Sequence, residues 1–216
     1  MKKFLRVVFL VLILCLIKVE ATEISVFQED GKFGLKNFQA VIVPADYKKL
    51  ILLGETSFIA LKNNKYGVIS KNGEIVLDFK YSHANRVLGK FVKLTNHLGV
   101  GLYDEYGKVI VPQNYDSIEL LPGGILLVSD NYKYGIMNLN GDTLIENVCD
   151  DIYTPQRNVM RIKYKGEWYE IEQVDAKTLM LPEDVKSIDT NSGFRVSKMV
   201  TTPVNMSKYT LVASAD

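Results

Sequence analysis

Two patterns of apolar residues divide the chain. From Val7 to Ile17, eleven apolar residues follow one another without a break. After residue 22 the apolar stretches are short and alternate with polar turns. The first pattern follows Lys2, Lys3 and Arg6, ends at Lys18, and leads into Val19-Glu20-Ala21. A positive start, a short apolar run and small or apolar residues before a cut after Ala21 predict a secretory signal peptide over residues 1–21. A membrane span needs about 20 apolar residues, more than this run of eleven supplies, and an uncleaved anchor over residues 4–17 is the alternative. Lipidation at Cys15 is excluded, because Leu14 stands where a small residue is required.

The second pattern is a repeat, covering residues 22–190. Phe33-Gly34, Tyr66-Gly67 and Tyr134-Gly135 recur, and Val100-Gly101 fills the same slot without its aromatic ring. These glycines are 33, 34 and 34 residues apart. A second glycine follows six residues later at Gly73, Gly107 and Gly141, and then an apolar triplet such as Val109-Ile110-Val111. Pro44 and Pro112 come next, with Tyr47, Tyr81 and Tyr115 shortly after. A degenerate fifth copy carries Trp168-Tyr169, Leu179-Met180-Leu181-Pro182 and Ser187-Ile188. Residues 191–216 read as a last, degraded repeat or a capping tail, with Lys208 to Val212 as a strand-like fragment.

Each unit predicts antiparallel hairpins. In the second copy, Phe58 to Leu61 is a short apolar strand, Asn63-Asn64 a turn, and Tyr66 to Ile69 a second strand. Ser70, Asp104 and Asn138 open the next turn and glycine closes it, the signature of a type I turn followed by positive φ. No later segment has a 3.6-residue apolar period with caps. The fold class is therefore all-β, built from tandem units of about 34 residues that bury their apolar faces only against neighbours. A propeller-like ring is preferred, with an open solenoid of hairpins as the alternative.

Aromatic-glycine, a polar turn ending in glycine, and an apolar pair with proline and a following tyrosine resemble the bacterial WG-repeat family over about residues 31–188. The family's tryptophan is Phe33, Tyr66 and Tyr134 here, and Trp168 lacks its glycine. The resemblance implies a β-rich repeat module, often secreted or surface-attached, with no common enzymatic activity.

Composition changes the picture only after the leader is removed. The 216 residues carry 26 basic and 25 acidic side chains, net +1. Loss of residues 1–21 takes four basic and one acidic residue, leaving 22 and 24, net −2. No strong basic excess points to nucleic acid. Cys149 becomes the single cysteine, so no internal disulfide forms; it is expected to be a small buried hydrophobe.

Catalytic and metal motifs are missing. His83 and His97 belong to no spaced ligand set, and HExxH, CxxC, GxSxG and phosphate loops do not occur. No cofactor is expected. Asp150-Asp151 and Glu183-Asp184 are carboxylate pairs at comparable corners; a carbohydrate-active enzyme would place such residues in a cleft, and the alternative is turn residues carrying solvated charge. The binding candidates are turn-borne tyrosines: Tyr106, Tyr132 and Tyr164, which could stack on sugars or anchor a protein. Tyr66, Tyr134 and Trp168 are expected in the core, and Tyr81 and Tyr115 at the corners. The reading is an extracytoplasmic, non-enzymatic module that binds a protein or an envelope glycan. A purely structural envelope component that keeps its N-terminus is a further alternative.

Overall fold

The structure, a computed structural model, describes residues 23–156, 159–173 and 194–198. The expected signal segment, Pro182, Glu183-Asp184 and the tail beyond Lys198 lie outside the described residues. The described chain is a series of antiparallel sheets without a helix. The first sheet holds β1 (Ser25–Glu29), β2 (Lys32–Lys36) and β3 (Val41–Tyr47). The second holds β4 (Lys49–Leu53), β5 (Ser57–Lys62), β6 (Lys65–Ser70) and β7 (Ile75–Tyr81). The third holds β8 (His83–Val87), β9 (Phe91–Asn96), β10 (Gly99–Asp104) and β11 (Val109–Tyr115). The fourth holds β12 (Ser117–Leu121), β13 (Ile125–Asp130), β14 (Lys133–Asn138) and β15 (Thr143–Cys149). The fifth holds β16 (Asp151–Gln156), β17 (Val159–Tyr164), β18 (Glu167–Gln173) and β19 (Phe194–Lys198). Strands pair in chain order within every sheet. The fourth strand of the fifth sheet is thus Phe194–Lys198, whereas the expected Leu179–Pro182 segment lies outside the described residues.

Three repeated devices build this backbone. The first is the aromatic-glycine slot. Strand pairing slips around it in four sheets: Tyr66 opposes Tyr81 but Val68 opposes Leu77, so β7 bulges past Gly67. A Cβ on Gly67 would lie 2.7 Å from the Leu77 carbonyl oxygen, and one on Gly34 would lie 2.5 Å from that of Val43. Only glycine admits this crossing. Pro44 and Pro112 sit exposed in the bulged segment, where the ladder is already broken.

The second device is the glycine-closed turn. Ser70 Oγ accepts from the N–H groups of Asn72 and Glu74, and Gly73 takes φ +86°. A Cβ on Gly73 would press on Val43 of the first sheet at 2.9 Å, and one on Gly107 on Val76 of the second at 3.0 Å. The second glycine therefore serves both its own turn and the junction with the preceding sheet.

The third device is a one-residue corner. Lys48, Ser82, Asp116 and Asp150 each join the last strand of one sheet to the first strand of the next. Their N–H groups donate to Leu61, Thr95, Ser129 and Lys163 carbonyls, each at 2.8 Å. Tyr47 and Tyr81 just before the corner are buried, Tyr115 is half-buried, and Cys149 takes their place in the fourth copy.

Apolar cores lie between successive sheets, and four join five sheets. Leu35 and Val43 meet Phe58 and Ile69 between the first and second. Ile59 and Val68 meet Val92 and Leu94 between the second and third. Leu102 and Val111 meet Leu126 and Met137 between the third and fourth. Ile136 and Ile145 meet Met160 and Ile162 between the fourth and fifth. No buried apolar cluster among the described residues joins the fifth sheet to the first.

The end faces explain why. The cross-strand pair following the aromatic-glycine slot faces the next sheet: Val26–Leu35, Ile59–Val68, Lys93–Leu102 and Leu127–Ile136. In the fifth sheet that pair is Arg161–Glu170. The adjoining pair faces the preceding sheet: Phe58–Ile69, Val92–Tyr103 and Leu126–Met137. In the first sheet it is Ser25–Lys36. A closed ring would lay these two polar faces together. Polar outer faces are what the ends of a repeat array require. Among the described residues no apolar junction closes the five sheets into a ring.

Candidate functional site

Each sheet presents two ends. One carries the tips between second and third strands together with the corners. The other carries the tips between first and second strands and the glycine-closed turns. Tyr132 occupies the first end on the β13–β14 tip and is 94% exposed. Leu98 takes the same place one repeat earlier and is also exposed. Tyr106 occupies the opposite end, on the β10–β11 turn, and is 70% exposed. The two tyrosines are therefore not brought together. Tyr164 departs from the expectation of an exposed ring. It packs half-buried against the core between the fourth and fifth sheets, with the Lys165 ammonium 4.9 Å above its face.

Phe38, which the sequence reading did not single out, is 99% exposed on the β2–β3 turn. The first copy lacks the second glycine, which obscured that the ring falls on the same turn as Tyr106. The expected core rings Tyr66, Tyr134 and Trp168 are only half-buried. Tyr66 and Tyr134 pack against the sheet junctions. Trp168 meets Tyr153 edge-on at 5.5 Å on the fifth sheet's outer face. Arg161 lies there too, bonded to Glu170 at 2.8 Å and to the Tyr153 hydroxyl at 3.2 Å.

Glu105 is the most enclosed carboxylate among the described residues. It reaches from the β10–β11 turn into the β4–β5 tip of the preceding sheet. There its Oε2 accepts from the Glu55 N–H at 2.7 Å, the Thr56 N–H at 3.0 Å and the Thr56 hydroxyl at 2.8 Å. Ser57 donates to its backbone carbonyl at 2.7 Å. Gly54, at φ +61°, leaves the space: a Cβ there would lie 2.2 Å from the carboxyl carbon. Burial pushes the carboxyl pKa up, but the Thr56 hydroxyl, the two N–H groups and the Lys90 charge outweigh it and hold the value below the usual one. The arrangement ties two sheets together.

Of the carboxylates considered for hydrolysis, Asp150 behaves similarly, and Glu183 and Asp184 lie outside the described residues. Asp150 binds Lys133 at 2.5 Å and accepts from the Gly166 N–H at 3.2 Å, so it braces a corner against the next tip. The Lys133 hydrogen bond, chiefly, lowers its pKa. Asp116 does the same for the Asn131 N–H at 2.9 Å. No group of three or more metal-ligating side chains gathers among the described residues. Cys149 is buried, and desolvation first, with the Asp150 charge second, pushes its thiol up to about 12, which suits a packing role.

Comparison with known proteins bears on the repeat. No curated protein matches the chain. Among solved structures, a eukaryotic initiation factor is similar at 11% identity, covering 84% of this chain and 53% of that one, with a TM-score of 0.38. Kluyveromyces lactis Hsv2 with complete loop 6CD is similar at 9% identity, over 71% of this chain and 57% of that one, with a TM-score of 0.34. Kluyveromyces lactis Hsv2 follows at 10%, 71%, 58% and 0.33. The chain thus spans somewhat over half the length of these structures. The family model described as "WG containing repeat" matches residues 66–87 and 101–134. Those stretches open on Tyr66-Gly67 and Gly101 and run through the glycine-closed turns at Gly73 and Gly107, so over residues 66–87 and 101–134 the chain carries WG-type repeats.

Proposed function

We propose that this repeat array is a non-enzymatic interaction module outside the cytoplasm, whose partner is a protein or an envelope glycan. One observation carries the reading: the Phe38, Tyr106 and Tyr132 rings are exposed on short turns. A large ring held by a rigid turn loses little conformational freedom on binding, which suits an anchor. The apolar leader supports an extracytoplasmic location. The chain released from its precursor would be used as bait against secreted proteins and on an envelope-glycan array, beside a variant carrying Phe38→Ser, Tyr106→Ser and Tyr132→Ser. The expected outcome is capture by the parent and at least a tenfold loss, about 1.4 kcal/mol, in the variant, with an unchanged circular dichroism spectrum. Silence of the parent on both panels, or equal capture by the variant, would sink the reading.

A further inference from the structure

Among the described residues the first sheet holds three strands, one fewer than each of the others. In the other four sheets the second strand is paired on both sides, but among the described residues its counterpart β1 pairs with β2 alone. The repeat says where the missing strand belongs. Three residues separate Leu53 from Ser57, Val87 from Phe91 and Leu121 from Ile125. Counting back from Ser25, a first strand would cover residues 17–21. These are the last residues of the expected leader, so cleavage after Ala21 removes the position that would complete the sheet.

The exposed edge is well formed. Asp30 and Gly31, at φ +48° and +76°, make a two-residue turn that closes on the pair Glu29–Lys32. Such a turn closes on a hydrogen-bonded pair, and alternation then directs the N–H and C=O groups of Val26 and Gln28 away from β2. β1 has no proline, bulge or lysine to discourage pairing. Exposed Glu23, Glu29 and Asp30 make its surroundings acidic.

We propose that this edge is a strand-acceptor site for an extended segment of a partner protein, added antiparallel to β1 as the first strand of the first sheet. The four first strands define the segment's chemistry. Their second positions are Leu50, Ala84, Ile118 and Ile152, and their fifth are Leu53, Val87, Leu121 and Pro155, every one of them apolar or proline. The segment therefore carries apolar residues at its second and fifth positions, with a basic residue at its start, where it meets Glu29 and Asp30. Backbone pairing supplies affinity and the two side chains supply selectivity. The inference rests on the interaction role proposed above and names the partner as a protein.

The probe is a labelled peptide copying residues 48–54, which begins Lys48-Lys49 and keeps Leu50 and Leu53 in place. Binding to the secreted chain is followed by fluorescence anisotropy, after mass analysis of its N-terminus. Gln28→Pro removes an outward N–H while sparing the β1–β2 ladder. The expected result is saturable binding that falls about tenfold or more with Gln28→Pro, and likewise when the peptide's Leu50 and Leu53 are replaced by Asp. Absence of binding, or equal binding by Gln28→Pro with its fold intact, overturns the proposal. So does a secreted chain that retains residues 1–21, since it carries its own first-strand segment. Partner capture through the exposed rings is scored separately and survives any of these results.

Discussion

The third and fifth sheets share corner, tip and strand order, yet among the described residues only the third has a sheet packed on both sides. The difference lies in one cross-strand pair. Lys93–Leu102 faces the fourth sheet, with Leu102 fully buried and the Lys93 ammonium donating to the Ile118 carbonyl at 3.0 Å. Arg161–Glu170 stands in the same place on the fifth sheet, partly exposed and bonded to Tyr153. A backbone motif can therefore repeat while side-chain polarity decides where stacking stops. The first sheet teaches the same at the other end, where Ser25–Lys36 replaces Phe58–Ile69 and Lys36 lies over the Phe27 ring at 5.7 Å.

The harshest way to break this comparison moves the end's chemistry inward. Ile136 is the fourth-sheet equivalent of Glu170 and is fully buried. Ile136→Glu would bury a carboxylate with no partner, at a cost of about 4 kcal/mol or more. The expected outcome is loss of cooperative thermal unfolding by circular dichroism. Glu170→Gln, by contrast, should stay within about 1 kcal/mol of the parent, because its ion pair is solvated. Equal melting of the two variants would show that the polarity of this pair does not decide stacking.

What the sheets share can be broken at glycine. Gly67→Ala places a Cβ against the Leu77 carbonyl and the Phe79 ring, and about 2–3 kcal/mol is expected to be lost. Gly31→Ala meets no atom within 4 Å and carries only the strain of φ +76°, about 1 kcal/mol. Urea unfolding of both variants orders the two effects, and the reverse order would contradict a close-approach role for the repeat glycine.

Much of this was legible beforehand for a physical reason. Local constraints leave strong marks: a bulge demands Gly34 or Gly67, and a type I turn demands Ser70 and Gly73. Their 34-residue recurrence therefore disclosed strands, turns and unit length. Junction chemistry leaves weaker marks. Arg161 and Glu170 look like ordinary alternation until their register shows which sheet they face. Glu105 lies 49 residues from Thr56, and Lys71 and Leu139 fill its place in neighbouring copies, so no periodic signal pointed to that contact. Phe38 was hidden because its copy had lost a glycine.

Glu105 sharpens the comparison between junctions, since this carboxylate clamps the second sheet to the third. Its folded pKa lies below the ordinary 4.5. The unfolded chain therefore binds this proton more readily than the folded one. The stabilisation is complete above the unfolded value and disappears as pH falls below 4.5 through the lowered folded value. Glu105→Gln is expected to cost about 1–2 kcal/mol at neutral pH and nearly nothing once the parent is protonated. Stability curves of the two proteins should converge on acidification. A constant gap down to low pH would assign the effect to shape rather than charge.

The mildest change in stability should bring the largest change in association. Arg161→Leu with Glu170→Ile gives the fifth sheet the forward face of an internal one. Replacing a partly solvated ion pair by apolar residues of similar size should alter unfolding free energy by no more than about 1 kcal/mol. The new face would join Tyr153 and Trp168 in an apolar surface of the kind that an internal sheet buries. Light scattering should then show association that grows with protein concentration, while the parent shows none through this face. If the double variant remains as dispersed as the parent, polarity at Arg161–Glu170 is not what ends the stack. The stop would then lie in the backbone beyond β18, where a 20-residue connection to β19 replaces the four-residue turns of the other sheets.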